Sequence, residues 1–164
     1  MWSLVQHQLA NARLLATLEK RRPRQASLRR GVSTAYYAVF QSLCVTCADT
    51  LVGKGKPWDV FTPVFRSLEH GRVAHTLLQS SVATTSELKR FGLAFKELQA
   101  AREWADYNPE PRPSFEEGRK SSPFTREETL TLIGLAEEAV AILDGLNEDA
   151  RLRLATRLVA RMRN

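Results

Sequence analysis

Apolar residues recur every three or four positions along almost the whole chain, and no stretch alternates with the two-residue period of a strand. The pattern predicts helices throughout. The first covers residues 3–20, with Leu4, Leu14, Leu15 and Leu18 inward, and Pro23 breaks it. A long second helix covers residues 25–52. Its apolar stripe is Leu28, Val32, Ala35, Tyr36, Val39, Phe40, Leu43 and Cys47, and the glycines and proline of GKGKP (53–57) end it. Beside that stripe runs a second, more polar one of Arg30, Ser33, Tyr37, Gln41 and Cys44.

A shorter helical stretch follows over 58–80, with Pro63 expected in an early turn and a bend or break at His70-Gly71. The next helix is expected to begin at Thr84 or Thr85, with Thr84 and Glu87 spaced as a capping box. It continues to Tyr107 and stops before Pro109, because proline disfavours helix at the residue preceding it. Residues 108–123 hold four prolines and read as a long loop of the kind that borders sites. Thr125 and Glu128 form a second capping-box pattern, opening a helix that ends at Gly145 with Leu132, Leu135, Ala139, Ile142 and Leu143 inward. A basic amphipathic helix closes the chain over 147–164, with Leu152, Ala155, Val159 and Met162 on one side.

These elements predict an all-α fold, an up-and-down bundle of four to five antiparallel helices with a C-terminal basic helix. The expected organisation is one domain over 1–164, with a core over about 6–146 and the basic helix 147–164 beyond it. A chain of 164 residues is long enough to bury a core without metal or disulfide staples.

One residue breaks the pattern. Phe91, Phe95, Leu98, Arg102 and Ala105 recur at helical spacing, so they share one face. Four of the five are apolar, and the fourth in order is an arginine. A guanidinium on an inward seam is costly unless it is paired or reached by water. The polar stripe of the second helix is the candidate source of partners. Asp106, four residues on, can pair with Arg102 along the helix for a few tenths of a kcal/mol. Asp106 can instead reach Arg30 or the Tyr37 hydroxyl, locking the bundle through a network of Ser33, Tyr37 and Asp106 without any chemistry. Tyr36 reads as core, Tyr37 as the better site candidate, and Trp104 as either an interface or a second packing surface.

Charge adds a partner class. The net charge is +6 and the pI about 9.7, with six cations and no acid in KRRPRQASLRR (20–30) and five more cations in residues 151–164. Such clusters favour phosphate-bearing or acidic partners, or are simply solvated surface. No apolar run approaches the roughly 20 residues that span a bilayer, and the first residues lack the pattern of a secretion signal, so a cytoplasmic location without membrane contact is expected. Cys44 and Cys47 form a lone CVTC in mid-helix, which reads as packing rather than zinc or redox chemistry. No metal site, cofactor motif or glycine-rich phosphate loop is implied.

Ser33, Tyr36, Tyr37, Ala38 and Phe40, followed by Arg102, Ala105, Asp106 and Tyr107, resemble the Ser-x-x-Tyr-Tyr-Ala-x-Phe and Arg-x-x-Ala-Asp-Tyr segments of small prokaryotic proteins of the HEPN superfamily. The likeness extends over about residues 6–146. It implies a helical bundle, often a homodimer. The superfamily includes metal-independent endoribonucleases of toxin-antitoxin and defence systems, some neutralised by a nucleotidyltransferase-like antitoxin, and non-catalytic modules that bind RNA or a protein partner. The nucleases place a histidine four to six residues after the arginine. Here Tyr107 stands in that position. A tyrosine, with its ordinary pKa near 10, is a poor base at neutral pH.

The candidate catalytic set is therefore Arg102, Asp106, Tyr107 and His70, the last expected to reach the site from another helix if at all. The candidate RNA-binding set is Arg29, Arg30 and Tyr37. Two functions stay open: an RNA-directed protein that cleaves without metal, and a non-catalytic dimer that binds RNA or a protein.

Overall fold

The computed structural model describes residues 3–108 and 123–160. Those residues form seven α-helices packed against one another, with no strand among them: α1 Ser3–Thr17, α2 Gln25–Leu51, α3 Trp58–Phe65, α4 His70–Leu77, α5 Ser86–Tyr107, α6 Arg126–Gly145 and α7 Glu148–Val159. The all-helical fold is the one the periodicity predicts. The helix count is higher because the 58–80 stretch divides: α3 ends at Phe65, and α4 begins afresh at His70.

The central member is α2, which packs against α1, α3, α5, α6 and α7. Leu28, Val32, Ala35, Tyr36, Val39, Leu43 and Cys47 are all buried, as its stripe predicts. Phe91, Phe95 and Leu98 of α5 are fully buried against it. Each large apolar side chain so buried contributes about 1.5–3 kcal/mol. Both cysteines are free and buried. Burial pushes the Cys44 thiol up to about 12 and raises Cys47 as well, so both stay protonated and serve as packing.

The inward face of α1 differs from expectation. Leu14 is 59% exposed, and Leu4 and Leu18 are also exposed, while Val5, Leu9, Ala12 and Ala16 are buried. The seam runs through alanines because α2 crosses α1 closely there. A Cβ added at Gly31 would lie 3.2 Å from the Ala12 carbonyl oxygen. Ala12 and Ala16 fill this close crossing, and Leu14 and Leu18 face outward.

The same kind of shift appears in α6. Thr129, Ile133, Ala136, Ala139, Val140 and Leu143 are buried, and Leu132, Leu135 and Ile142 flank them half-buried. In α7, Leu154 and Ala155 point inward and belong to the core cluster, while Leu152 is exposed. Met162 lies outside the described residues.

Helix ends follow local chemistry. Thr125 and Glu128 make the full capping box, each satisfying the other's backbone N–H. At α5 the cap is Thr85, whose hydroxyl accepts from the Leu88 N–H; Thr84 takes no part. Pro57 occupies the N-cap position of α3, and Pro63 sits in its second turn. Asn108 is extended after α5, as a residue preceding proline should be. The rest of the expected loop, residues 109–122, lies outside the described residues.

Candidate functional site

The anomalous arginine is held between α5 and α2. Its side chain is only 14% exposed. One terminal nitrogen donates to the Tyr37 hydroxyl at 2.6 Å and lies 3.4 Å from the Tyr107 hydroxyl. The guanidinium carbon sits 5.3 Å from the Tyr37 ring centre, 5.8 Å from that of Tyr36 and 5.2 Å from that of Tyr107. Three aromatic faces so placed stabilise a cation by an interaction of their ring quadrupoles with its charge.

Asp106 completes the pairing along the helix. Its Oδ2 is 2.8 Å from Arg102 Nε, an ion pair spaced i to i+4. The Nε–H nevertheless makes no aligned hydrogen bond, so charge rather than direction ties the two. The same carboxylate oxygen accepts from Ser33 Oγ at 3.3 Å. Ser33, Asp106, Arg102 and Tyr37 thus form one chain of contacts between the helices. Tyr37 joins it through the arginine rather than through Asp106. Burial works against the Arg102 charge, and the Tyr37 bond with Tyr107 and Asp106 nearby outweighs it, so the guanidinium pKa is raised.

His70 arrives at this cluster from the first turn of α4. Its Nδ1 lies 2.7 Å from the Tyr36 hydroxyl. Its ring stacks on Phe40 at 3.7 Å between centres and meets Tyr37 edge-on at 5.7 Å. Burial, and then the Arg102 charge, lower its pKa from the ordinary 6.5, so the imidazole is neutral at pH 7. No histidine follows Arg102 on its own helix; Tyr107 stands five residues on. Here an imidazole reaches the arginine's aromatic surroundings from a different helix.

The other expected site residues divide. Tyr107 is 72% exposed at the rim. Arg30 is exposed on the surface of α2 and is not the partner of Asp106. Arg29 is half-buried and turned the other way: it donates to the Asn108 carbonyl at 2.6 Å and lies 4.9 Å over the Trp104 ring. The far partner of that indole is Phe124, edge-on at 4.7 Å. Trp104 is therefore a second packing surface. The cluster also includes Tyr36 and Phe40, which the periodicity of α2 assigns to the core. A core tyrosine carries a hydroxyl that must find a partner, and that requirement was the available signal.

A cleft of about 730 Å³ lies elsewhere. Thr46, Asp49, Lys54, Lys56, Trp58 and Arg151 are among its lining residues, and none of the Arg102 cluster is. At 100° per residue, Thr46 lies on the side of α2 opposite Tyr37, and Asp49 about 120° around from it. Volume and chemistry therefore part company. The Arg102 cluster, with its charge, phenols and imidazole, is the stronger candidate.

Among the described residues no group of three His, Cys, Asp or Glu side chains is placed to hold a metal, and no helix is long and apolar enough to cross a membrane. No family model, curated protein or solved structure matches the chain.

Proposed function

We propose that the Arg102 cluster binds a phosphodiester group and that the protein acts on RNA. The observation that carries this reading is the position of Arg102: a guanidinium near the surface, held by two phenols and one carboxylate that an incoming oxyanion can replace. Arginine suits the task because it stays charged and its fork matches phosphate. The surplus of six positive charges supports approach of a polyanion. The resemblance to HEPN proteins, resting on residues 33–40 and 102–107, points the same way. It also suggests a homodimer closing over the exposed Tyr107, and a nucleotidyltransferase-like protein as a neutralising partner.

The test is binding of a short single-stranded RNA to the full chain in EDTA, across a range of salt. Affinity is expected to fall as salt rises, and Arg102→Met is expected to weaken binding about a hundredfold, the loss of a charge-assisted phosphate contact. Equal affinity in Arg102→Met removes the site from RNA binding.

A second reading is metal-independent cleavage, favoured by the arrival of His70 beside Arg102. Cleavage needs a base for the ribose 2′-hydroxyl proton and a cation for the charge gathering on phosphate. Arg102 supplies the second, and a neutral imidazole is the natural first. Product formation in EDTA that His70→Ala abolishes would establish this reading; binding without product would leave the protein a non-catalytic module.

A further inference from the structure

The imidazole of His70 is gripped on several sides. Phe40 stacks on its face at 3.7 Å, the Tyr37 ring meets it edge-on, and the Tyr36 hydroxyl holds Nδ1 at 2.7 Å. Such a ring cannot turn freely, and with Nδ1 engaged by Tyr36 the nitrogen left for a ligand is Nε2. Whether Nε2 carries the proton decides what His70 can do, and the Tyr36 hydroxyl decides that. Tyr36 is fully buried. A buried hydroxyl hydrogen without an acceptor costs about 1–3 kcal/mol, and Nδ1 is the partner this hydroxyl finds among the described residues. Donation from Tyr36 to Nδ1 meets that need. The imidazole proton then sits on Nε2. The opposite arrangement, with Nδ1–H donating, strands the phenol hydrogen in an apolar interior.

The geometry points to Tyr36 as a positioning residue that fixes His70 as an Nε2–H donor, so that imidazole and guanidinium together offer donors to one phosphate oxyanion. This assignment rests on the phosphodiester-binding reading for its ligand, and on the geometry alone for the tautomer. It makes His70 a hydrogen-bonding ligand, and it excludes the cleavage reading above, whose base needs an Nε2 without a proton. The surrounding charges agree with it. The Arg102 charge from α5 disfavours a second proton on the ring, and Tyr36, held protonated by its burial, presents no negative charge from α2.

Nitrogen-15 correlation spectra of the RNA-free protein at pH 7.5 test the tautomer directly. The three histidines, His7, His70 and His75, are separated by single substitution. The expected His70 pattern has Nδ1 in the acceptor region and Nε2 in the proton-bearing region. In Tyr36→Phe, which removes one oxygen and keeps the ring, the pattern is expected to become a mixture of tautomers and the His70 pKa to rise. A wild-type spectrum with the proton on Nδ1, or a Tyr36→Phe spectrum identical to wild type, overturns the assignment.

A second arm uses the same RNA as above. Glutamine can place an N–H near the Nε2 position, so His70→Gln is expected to bind within about threefold of wild type and His70→Ala about tenfold more weakly. If His70→Ala binds like wild type while Arg102→Met does not, the shared donor seat is wrong and the phosphodiester reading stands. If both bind like wild type, the phosphodiester reading itself has failed, and the spectra still report on Tyr36.

Discussion

Two arginines lie over aromatic rings at the end of α5, and they are used in opposite ways. Arg29 reaches across from α2 to stack on Trp104 and donate to the Asn108 carbonyl. Its partners are an indole face and the main chain, neither of which a ligand can readily displace. Arg102 leans on Tyr36, Tyr37 and Tyr107 and pairs with Asp106, whose side chain is 24% exposed. Phenol hydroxyls and a partly hydrated carboxylate exchange partners at little cost. Burial and charge alone do not separate a structural arginine from a functional one. The nature of what it holds does.

Substitutions sharpen that contrast. The largest loss of stability is expected from Trp104→Ala, which removes the surface joining Arg29 to Phe124. A destabilisation of about 2–3 kcal/mol is expected, at the low end for a large aromatic because Trp104 is half-buried. RNA affinity per folded molecule should hardly change. Arg29→Met should cost about 1 kcal/mol in urea unfolding, the combined size of a cation-ring contact and one hydrogen bond to a carbonyl. Arg102→Met should cost about 1 kcal/mol or less, because the Asp106 carboxylate it leaves behind is 24% exposed and can take water as its partner, while RNA binding falls. A large destabilisation there with binding intact would invert the comparison and make Arg102 the structural one.

The smallest effect concerns pH. The folded His70 pKa lies below 6.5, through burial first and the Arg102 charge second. As pH falls below the ordinary value, the unfolded chain takes up the proton first. This group's contribution is thus fully present above about 6.5 and is lost as pH falls through the folded value. Arg102→Met removes the second cause and should shrink that acid sensitivity, measured as the difference in unfolding midpoint between pH 7.5 and pH 5. An unchanged difference would separate His70 from the arginine.

Much of this architecture was readable beforehand, for physical reasons that differ by element. The bounds of α5 and α6 follow from threonine caps and the proline after Asn108, which act within a few residues. The buried stripe of α2 follows from its periodicity. The inward face of α1 did not, because closeness to Gly31 selects alanine there, and that closeness belongs to the helix crossing rather than to α1. Arg102 was legible as a misfit on an apolar seam. Its partners on α2 were legible as a polar stripe, although Arg30 points away. His70 was legible only as a candidate from another helix, since its arrival depends on where α3 stops and how α4 turns back onto Phe40. Arg29 was read from charge as an RNA contact, and only its fit onto Trp104 and Asn108 shows it joining helix ends.

Tyr37 stands on α2, the element against which α1, α3, α5, α6 and α7 all rest. Anything that grips Tyr37 and Arg102 therefore clasps the axle of the molecule and not a flap at its edge. Occupancy should reach every helix that leans on it and lift the melting of the whole protein as one event, by an amount set by ligand concentration over its dissociation constant.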